Sequence, residues 1–283
     1  MKKATLYRYW GTYFAVALGC QLTFGKCQIA FFAFPVNATL LLLGVTSLWI
    51  LHKEKPQSAG YLVLSAPATT FLLLGITFVS CLLMGLGTLL TPDSWWTVFT
   101  LIALLAHLLI VIYRGMCRKR AHKLRFALTH IGLLLALGGG MAGSADTHEW
   151  RILVTKDQPT RQAFDRHGKS ILLKDSMQLQ TFDIAYHPDG TPQSYNAQVI
   201  IGDKSATLKV NHPYTLSWTD NLYLTDYEHV PANEQPHYCV LQLVKEPWKY
   251  ALWTGIWMLI AGCVLLFTQG IPALPKKGGD ETC

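Results

Sequence analysis

The residues in this chain best placed to do chemistry are two imidazoles set in otherwise apolar stretches, His107 and His130. An ionisable group inside such a stretch is costly and by default marks a site. Each lies seven residues from a basic residue, His107 before Arg114 and His130 after Lys123. At a rise of ~1.5 Å per residue, both would sit roughly 10 Å below one membrane surface, on consecutive helices of opposite direction. Two imidazoles at one depth suit axial ligation of haem iron, as in low-spin b-type sites. The competing reading is that each neutral ring hydrogen-bonds a neighbouring helix.

The other side chains narrow the choice by what they lack. The sequence has no GxSxG, HExxH or GxxxxGK[ST] motif, and no apolar block carries a pair of acidic residues. This argues against nucleophile, zinc-protease and P-loop chemistry, and against an ion-driven transporter. Seven cysteines occur, but none in a CxxC or CxxCH pattern. The chain is therefore neither a thioredoxin-like reductase nor itself a c-type cytochrome. Cys27 and Cys239 are the two expected to face outward, where they could bridge or stay as buried thiols. No catalytic residue is assigned.

The elements that must hold these imidazoles are read from composition. The 283 residues are 51% hydrophobic and 14% charged, and the mean hydropathy is +0.26. That is the composition of an integral membrane protein. Six apolar blocks, 9–24, 29–51, 61–90, 95–113, 124–143 and 250–267, approach the ~20 residues that cross a bilayer core. Pro67 in the long third block marks a kink or an interfacial start, with neighbouring helices satisfying the freed carbonyl. The first block, preceded by Lys2 and Lys3, could also be read as a secretory signal ending at Cys20.

The net charge of +7 is distributed in a way that speaks for orientation. With the amino terminus inside, thirteen basic residues fall on the inner side and only Lys26 in the short outer loops. This positive-inside pattern predicts six spans with both termini cytoplasmic. Residues 144–249 then lie outside with 13 acidic and 10 basic residues, so the basicity signals no nucleic-acid partner.

That outer segment alternates apolar and polar residues over 149–155, 177–187, 194–201, 205–211, 221–229 and 237–245, the period of antiparallel strands. His187-Pro188-Asp189-Gly190 is a turn signal joining two of them. The expected fold is an α-helical integral membrane protein of about six spans with an inserted extracytoplasmic all-β domain. Its parts are a membrane domain over 1–143, the β domain over 144–249, a final transmembrane helix over 250–270 and a cytoplasmic tail over 271–283.

Several stretches carry a resemblance. LTHIGLLLALGGGMAG (128–143) followed by THEWRILV resembles a span of the ResB/CcsB family of system II cytochrome c biogenesis proteins, with its span histidine and glycine-rich end. TFDIAYHPDGTPQSYNAQVII is similar to that family's Asp-Gly hairpin. VNHPYTLSWTDNLYLTDYEH resembles its Asn-His-Pro and aromatic segment, and VLQLVKEPWKYALWTGIWMLIAG its re-entry into the last helix. The likeness covers roughly 124–270; the first hundred residues match in hydropathy alone.

The resemblance implies a ResB-like subunit of a cytochrome c synthetase in a bacterial cell membrane, not a complete enzyme. It implies haem b in transit, a CcsA/ResC-type membrane partner, an apocytochrome c acceptor with CxxCH thiols, and a thioredoxin-like reductase. His130 matches the span histidine that ligates haem iron. His107, His148 and His212 are weaker candidates: His148 follows the fifth span, and His212 stands in the Asn-His-Pro element, where it could instead cap backbone groups. Trp248, Trp253 and Trp257 read as interface anchors in lipid. The competing functions are a b-type haem anchor for electron transfer, with His107 and His130 on one haem, and a non-catalytic assembly scaffold.

The charge bias yields a direct test. Reporter fusions at Lys119 and Lys277 should read cytoplasmic and one at Asp189 extracytoplasmic; a cytoplasmic signal at Asp189 would overturn the topology.

Overall fold

The computed structural model describes residues 3–87, 90–118, 122–189, 191–230 and 234–270. Lys2, Lys119, Arg120, Gly190 of the expected turn and the expected tail 271–283 lie outside these residues. The described helices are α1 (Lys3–Phe24), α2 (Val36–Glu54), α3 (Ala59–Leu64), α4 (Pro67–Gly85), α5 (Trp95–Cys117), α6 (Lys123–Asp146) and α7 (Lys249–Gln269). The chain divides into two compact units, Asp146–Pro247 and the remainder.

Five of these helices, α2, α4, α5, α6 and α7, are long and apolar enough to cross a membrane. The first of the six expected spans is not among them. Helix α1 is 22 residues long, but Lys3, Arg8, three tyrosines and Gln21 dilute its apolar character, and it is not among the five.

The third apolar block is divided. Ala66, preceding a proline, is pushed into extended backbone at φ −75° and ψ 137°. Pro67 then opens α4 at a position where its missing N–H costs nothing. It is thus a helix start, as one of the two expectations had it, but the residues before it form the separate short helix α3 instead of continuing the span. Ser58 and Ser94 cap α3 and α5, accepting from the backbone N–H groups of Tyr61 and Thr97.

Helices α6 and α7 meet along glycines. A Cβ on Gly255 would lie 2.6 Å from the Gly132 carbonyl oxygen, one on Gly262 2.6 Å from the Thr129 side chain, and one on Gly139 3.0 Å from the Leu252 nitrogen. The spacing Gly132, Ala136, Gly139, Gly143 keeps small residues on one face of α6, so the backbones approach closely. Arg125 at the start of α6 donates to the Gly270 carbonyl at the end of α7, at 2.7 Å.

The second unit is one antiparallel sheet of β1 (His148–Thr155), β2 (Thr160–Phe164), β3 (Ser170–Tyr186), β4 (Pro192–Ile201), β5 (Lys204–Lys209), β6 (Tyr214–Thr215), β7 (Asp220–Tyr227) and β8 (Tyr238–Lys245). Its order is β5-β4-β3-β2-β1-β8-β7-β6. The sheet rolls until β5 touches β6 and β7, and the enclosed face is a single core that includes Ile152, Val154, Phe182, Leu208, Leu222 and Leu241. All six expected strands are present. The Asp189 turn joins β3 to β4, with the His187 N–H donating to the Thr191 carbonyl and the Asp189 carboxylate accepting from Thr191. β2, residues 170–176 of β3, and β6 were not expected. A register shift between Thr160 and Gln162 interrupts the alternation there.

The glycine seam is testable by one methyl group. Gly255→Ala should lower the stability of the purified chain by about 1–3 kcal/mol through overpacking. Gly75→Ala, where a Cβ meets nothing within 4 Å, should leave the melting temperature unchanged or raise it.

Candidate functional site

The break between α3 and α4 leaves backbone carbonyls without their helical donors, and side chains supply the difference. The Thr69 hydroxyl donates to the Val63 carbonyl at 2.6 Å and receives the Trp10 indole N–H at 3.1 Å. Arg114 donates to the Ser65 carbonyl at 2.9 Å. Between them, His107 Nδ1 lies 2.6 Å from the Leu64 carbonyl oxygen. A carbonyl only accepts, so Nδ1 carries the proton, and Nε2 accepts from the Thr70 hydroxyl at 2.9 Å. His107 is 5% exposed, with both ring nitrogens engaged in joining α5 to the α3–α4 break.

His130 stands in a different setting. Its Nδ1 lies 3.0 Å from the Phe126 carbonyl oxygen, one helical turn back, and 3.0 Å from the Thr129 hydroxyl. Its ring centroid is 4.0 Å from that of Phe126. The Phe126 ring occupies the space where Gly115 of α5 would carry a Cβ, so Phe126 sets His130 beside the last turns of α5. The bond to the Phe126 carbonyl favours the tautomer with the proton on Nδ1 and the lone pair on Nε2, the arrangement that ligating histidines commonly show. The bonds of His107 serve the α3–α4 joint, and those of His130 to Phe126 and Thr129 stay within its own helix.

A third imidazole, which sequence reasoning did not single out, is more constrained than either expected surface histidine. His52, near the end of α2, is half-buried and lies between two tyrosines, with ring centroids 5.7 Å from Tyr61 and 5.8 Å from Tyr113 at interplanar angles of 29° and 27°. Its Nδ1 is 2.8 Å from the Tyr61 hydroxyl, and the Tyr113 hydroxyl donates to the Val45 carbonyl at 3.0 Å. In the sequence His52 stands next to Lys53 at the edge of an apolar block and looks like part of a solvated terminus. Only the approach of α3 and α5 reveals the stack.

In the sheet unit, His148 is exposed at the start of β1, with its ring 5.4 Å from Trp150. His212 is exposed too, in the turn between β5 and β6, where Asn211 takes the left-handed backbone at φ 63°. Its backbone N–H donates to the Lys209 carbonyl at 3.1 Å. Among the described residues, no three or more His, Cys, Asp or Glu side chains converge as a metal centre. Cys27 and Cys239 are both buried free thiols. Burial pushes the Cys239 thiol up to about 12, and burial with the Asp93 carboxylate also raises Cys27. Thiols held protonated this way are inert rather than redox-active.

Comparison with known proteins adds the following. Residues 117–235 match the ResB-like family, a stretch that runs from the end of α5 through α6 and past the end of β7. The match starts seven residues before the stretch that carries the resemblance in the sequence and stops short of β8 and α7. No curated protein sequence matches the chain. A solved structure titled Cytochrome c Heme Lyase CcmF is similar at a TM-score of 0.39 and 11% identity, over 92% of this chain and 43% of that one. The chain therefore spans less than half the length of that protein.

The joint around His107 carries its own prediction. His107→Ala should cost about 1–2 kcal/mol in the melting of the purified chain, because it strands the buried Leu64 carbonyl. Thr70→Val, which removes one interhelical bond, should cost only about 0.6 kcal/mol. Equal, negligible losses in both would show that the joint does not depend on the imidazole.

Proposed function

We propose that this chain is a ResB-like subunit of a system II cytochrome c synthetase, taking part in moving haem across the membrane and in its covalent attachment to CxxCH apocytochromes. The observation that carries the reading is the ResB-like match over 117–235, which contains His130 and most of the sheet unit. In this reading the five apolar helices cross the bacterial cell membrane and the basic residues at the ends of α2, α5 and α6 face the cytoplasm. The β unit faces outward, towards the apocytochrome. A CcsA/ResC-type subunit completes the synthetase, and a thioredoxin-like reductase keeps the acceptor thiols reduced.

Haem is cargo here, and the donor set suits it. His130 offers an imidazole whose Nδ1 is held by the Phe126 carbonyl, which directs Nε2 to the iron. Lys53, Arg114, Lys123 and Arg125 provide cations for the porphyrin carboxylates. His148, at the start of β1, is the histidine nearest in sequence to the outward exit from α6, and His212 serves as a turn residue. The chain binds and orients; thioether formation belongs to the assembled complex.

The electron-transfer alternative required His107 and His130 to share one haem. The engagement of both His107 nitrogens within the α3–α4 joint disfavours it. The inert, buried Cys27 and Cys239 argue against thiol chemistry by this chain, in keeping with a separate reductase.

Deleting the chain should abolish covalent haem attachment to CxxCH substrates while leaving b-type cytochromes intact, as read by haem staining of denatured proteins and by membrane spectra. Normal holocytochrome c in a deletion strain without a duplicate would remove the proposal.

A further inference from the structure

The turn from β6 to β7 is heavily cross-bonded, and it holds one large apolar side chain outward. Ser217 is at its centre: the hydroxyl donates to the Asp220 carboxylate at 2.8 Å and accepts from the Thr219 and Asp220 N–H groups, each at 3.2 Å. The Thr219 hydroxyl donates to the same carboxylate at 2.9 Å, and the Leu216 N–H donates to the Asp220 carbonyl at 3.0 Å. Tyr214 and Leu216, just before, pack against the sheet core. Trp218 is turned out of it and is 77% exposed. Single exposed apolar side chains are common on protein surfaces, but a turn bonded in this way resists folding back to cover one.

The register fixes where that side chain stands. Asp220 of β7 is opposite Lys245 of β8, and Lys245 is opposite His148 of β1. The turn therefore lies at the end of the sheet where the chain arrives from α6 and leaves for α7. The Glu246 N–H donates to the Thr219 carbonyl at 2.8 Å, which bonds the turn to the departing chain. Trp248 follows two residues later, at most ~7.6 Å further at ~3.8 Å per residue, directly before α7. We infer that the Ser217–Asp220 turn is a lipid-contact site, with the Trp218 indole seated at the headgroup boundary of the bilayer that α7 enters. The inference rests on the reading above in which α6 and α7 cross the membrane. An indole suits that boundary, because its ring is apolar while its N–H can donate to ester and phosphate oxygens. Trp248 and Tyr250 bring the same chemistry to the start of α7, and Lys245 and Lys249 supply cations for lipid phosphates. The two tethers leave from the adjacent strands β1 and β8 and act as a hinge; a third contact, to one side of them on β7, restrains the tilt of the sheet.

The test uses the full-length chain in nanodiscs of phosphatidylcholine and phosphatidylglycerol, with its nine tryptophans replaced biosynthetically by fluorotryptophan. Trp218→Phe and Trp257→Phe assign two fluorine resonances, so the measurement itself is made on the unaltered sequence and no folding defect enters it. A lipid carrying a nitroxide near its headgroup should remove most of the Trp218 signal, and exchange of water for heavy water should leave its chemical shift unchanged, as expected for an indole withdrawn from solvent. Trp257, within α7, reports on the span itself and should lose its signal to a nitroxide placed deep in the acyl chains. A heavy-water shift at Trp218, or silence towards the headgroup nitroxide because protein covers the ring, would overturn the inference and leave the span standing as long as Trp257 responds. If Trp257 does not respond, the reading of α7 as a span falls and the inference falls with it.

Discussion

A backbone carbonyl in an apolar medium must find a donor, and the helical unit is organised around one place where the helix itself cannot provide it. Pro67 has no N–H to give, and Ala66 is forced out of helical geometry. The carbonyls of Leu64 and Ser65 therefore turn to His107 and Arg114, while that of Val63, which keeps the Ala66 N–H, also accepts from Thr69. Each of these bonds ties the short helix α3 to α4 or α5. Satisfying the break and packing the bundle are the same event, because a polar group removed from water must find its partner within the protein.

This constraint also sorts the histidines. His107 is drawn into the joint, and its two nitrogens serve as donor and acceptor in one neutral tautomer. With α3 held in place, Tyr61 is positioned to meet His52. The same turns of α5 then present Tyr113 to His52 and Gly115 to Phe126. The glycine seam between α6 and α7 plays a complementary part: by occupying the face of α6 that carries Gly132, Gly139 and Gly143, it leaves Phe126 and His130 on another face, one that meets the end of α5.

The sheet unit follows a separate logic. Its strands bury one face around a common core, and Cys239 belongs to that core at 0% exposure. A thiol so placed acts as a small apolar side chain. Its neutrality is a consequence of burial, which raises it to about 12.

What the sequence determined by itself are the features set by local period and composition. The apolar blocks, six strands, the Asp189 turn and the family likeness around His130 all depend on residues within a few positions of one another. Bulges obscured β2 and the start of β3, where the two-residue period fails. The candidate site was legible only as a set of titratable groups. That His107 braces the α3–α4 joint and His52 is stacked against tyrosines depends on partners far along the chain: Leu64 lies 43 residues from His107, and Tyr113 reaches His52 from another helix. Tertiary structure decided these roles, because a ring nitrogen's availability is settled by the donor or acceptor that packing brings to it, and no local pattern encodes that neighbour.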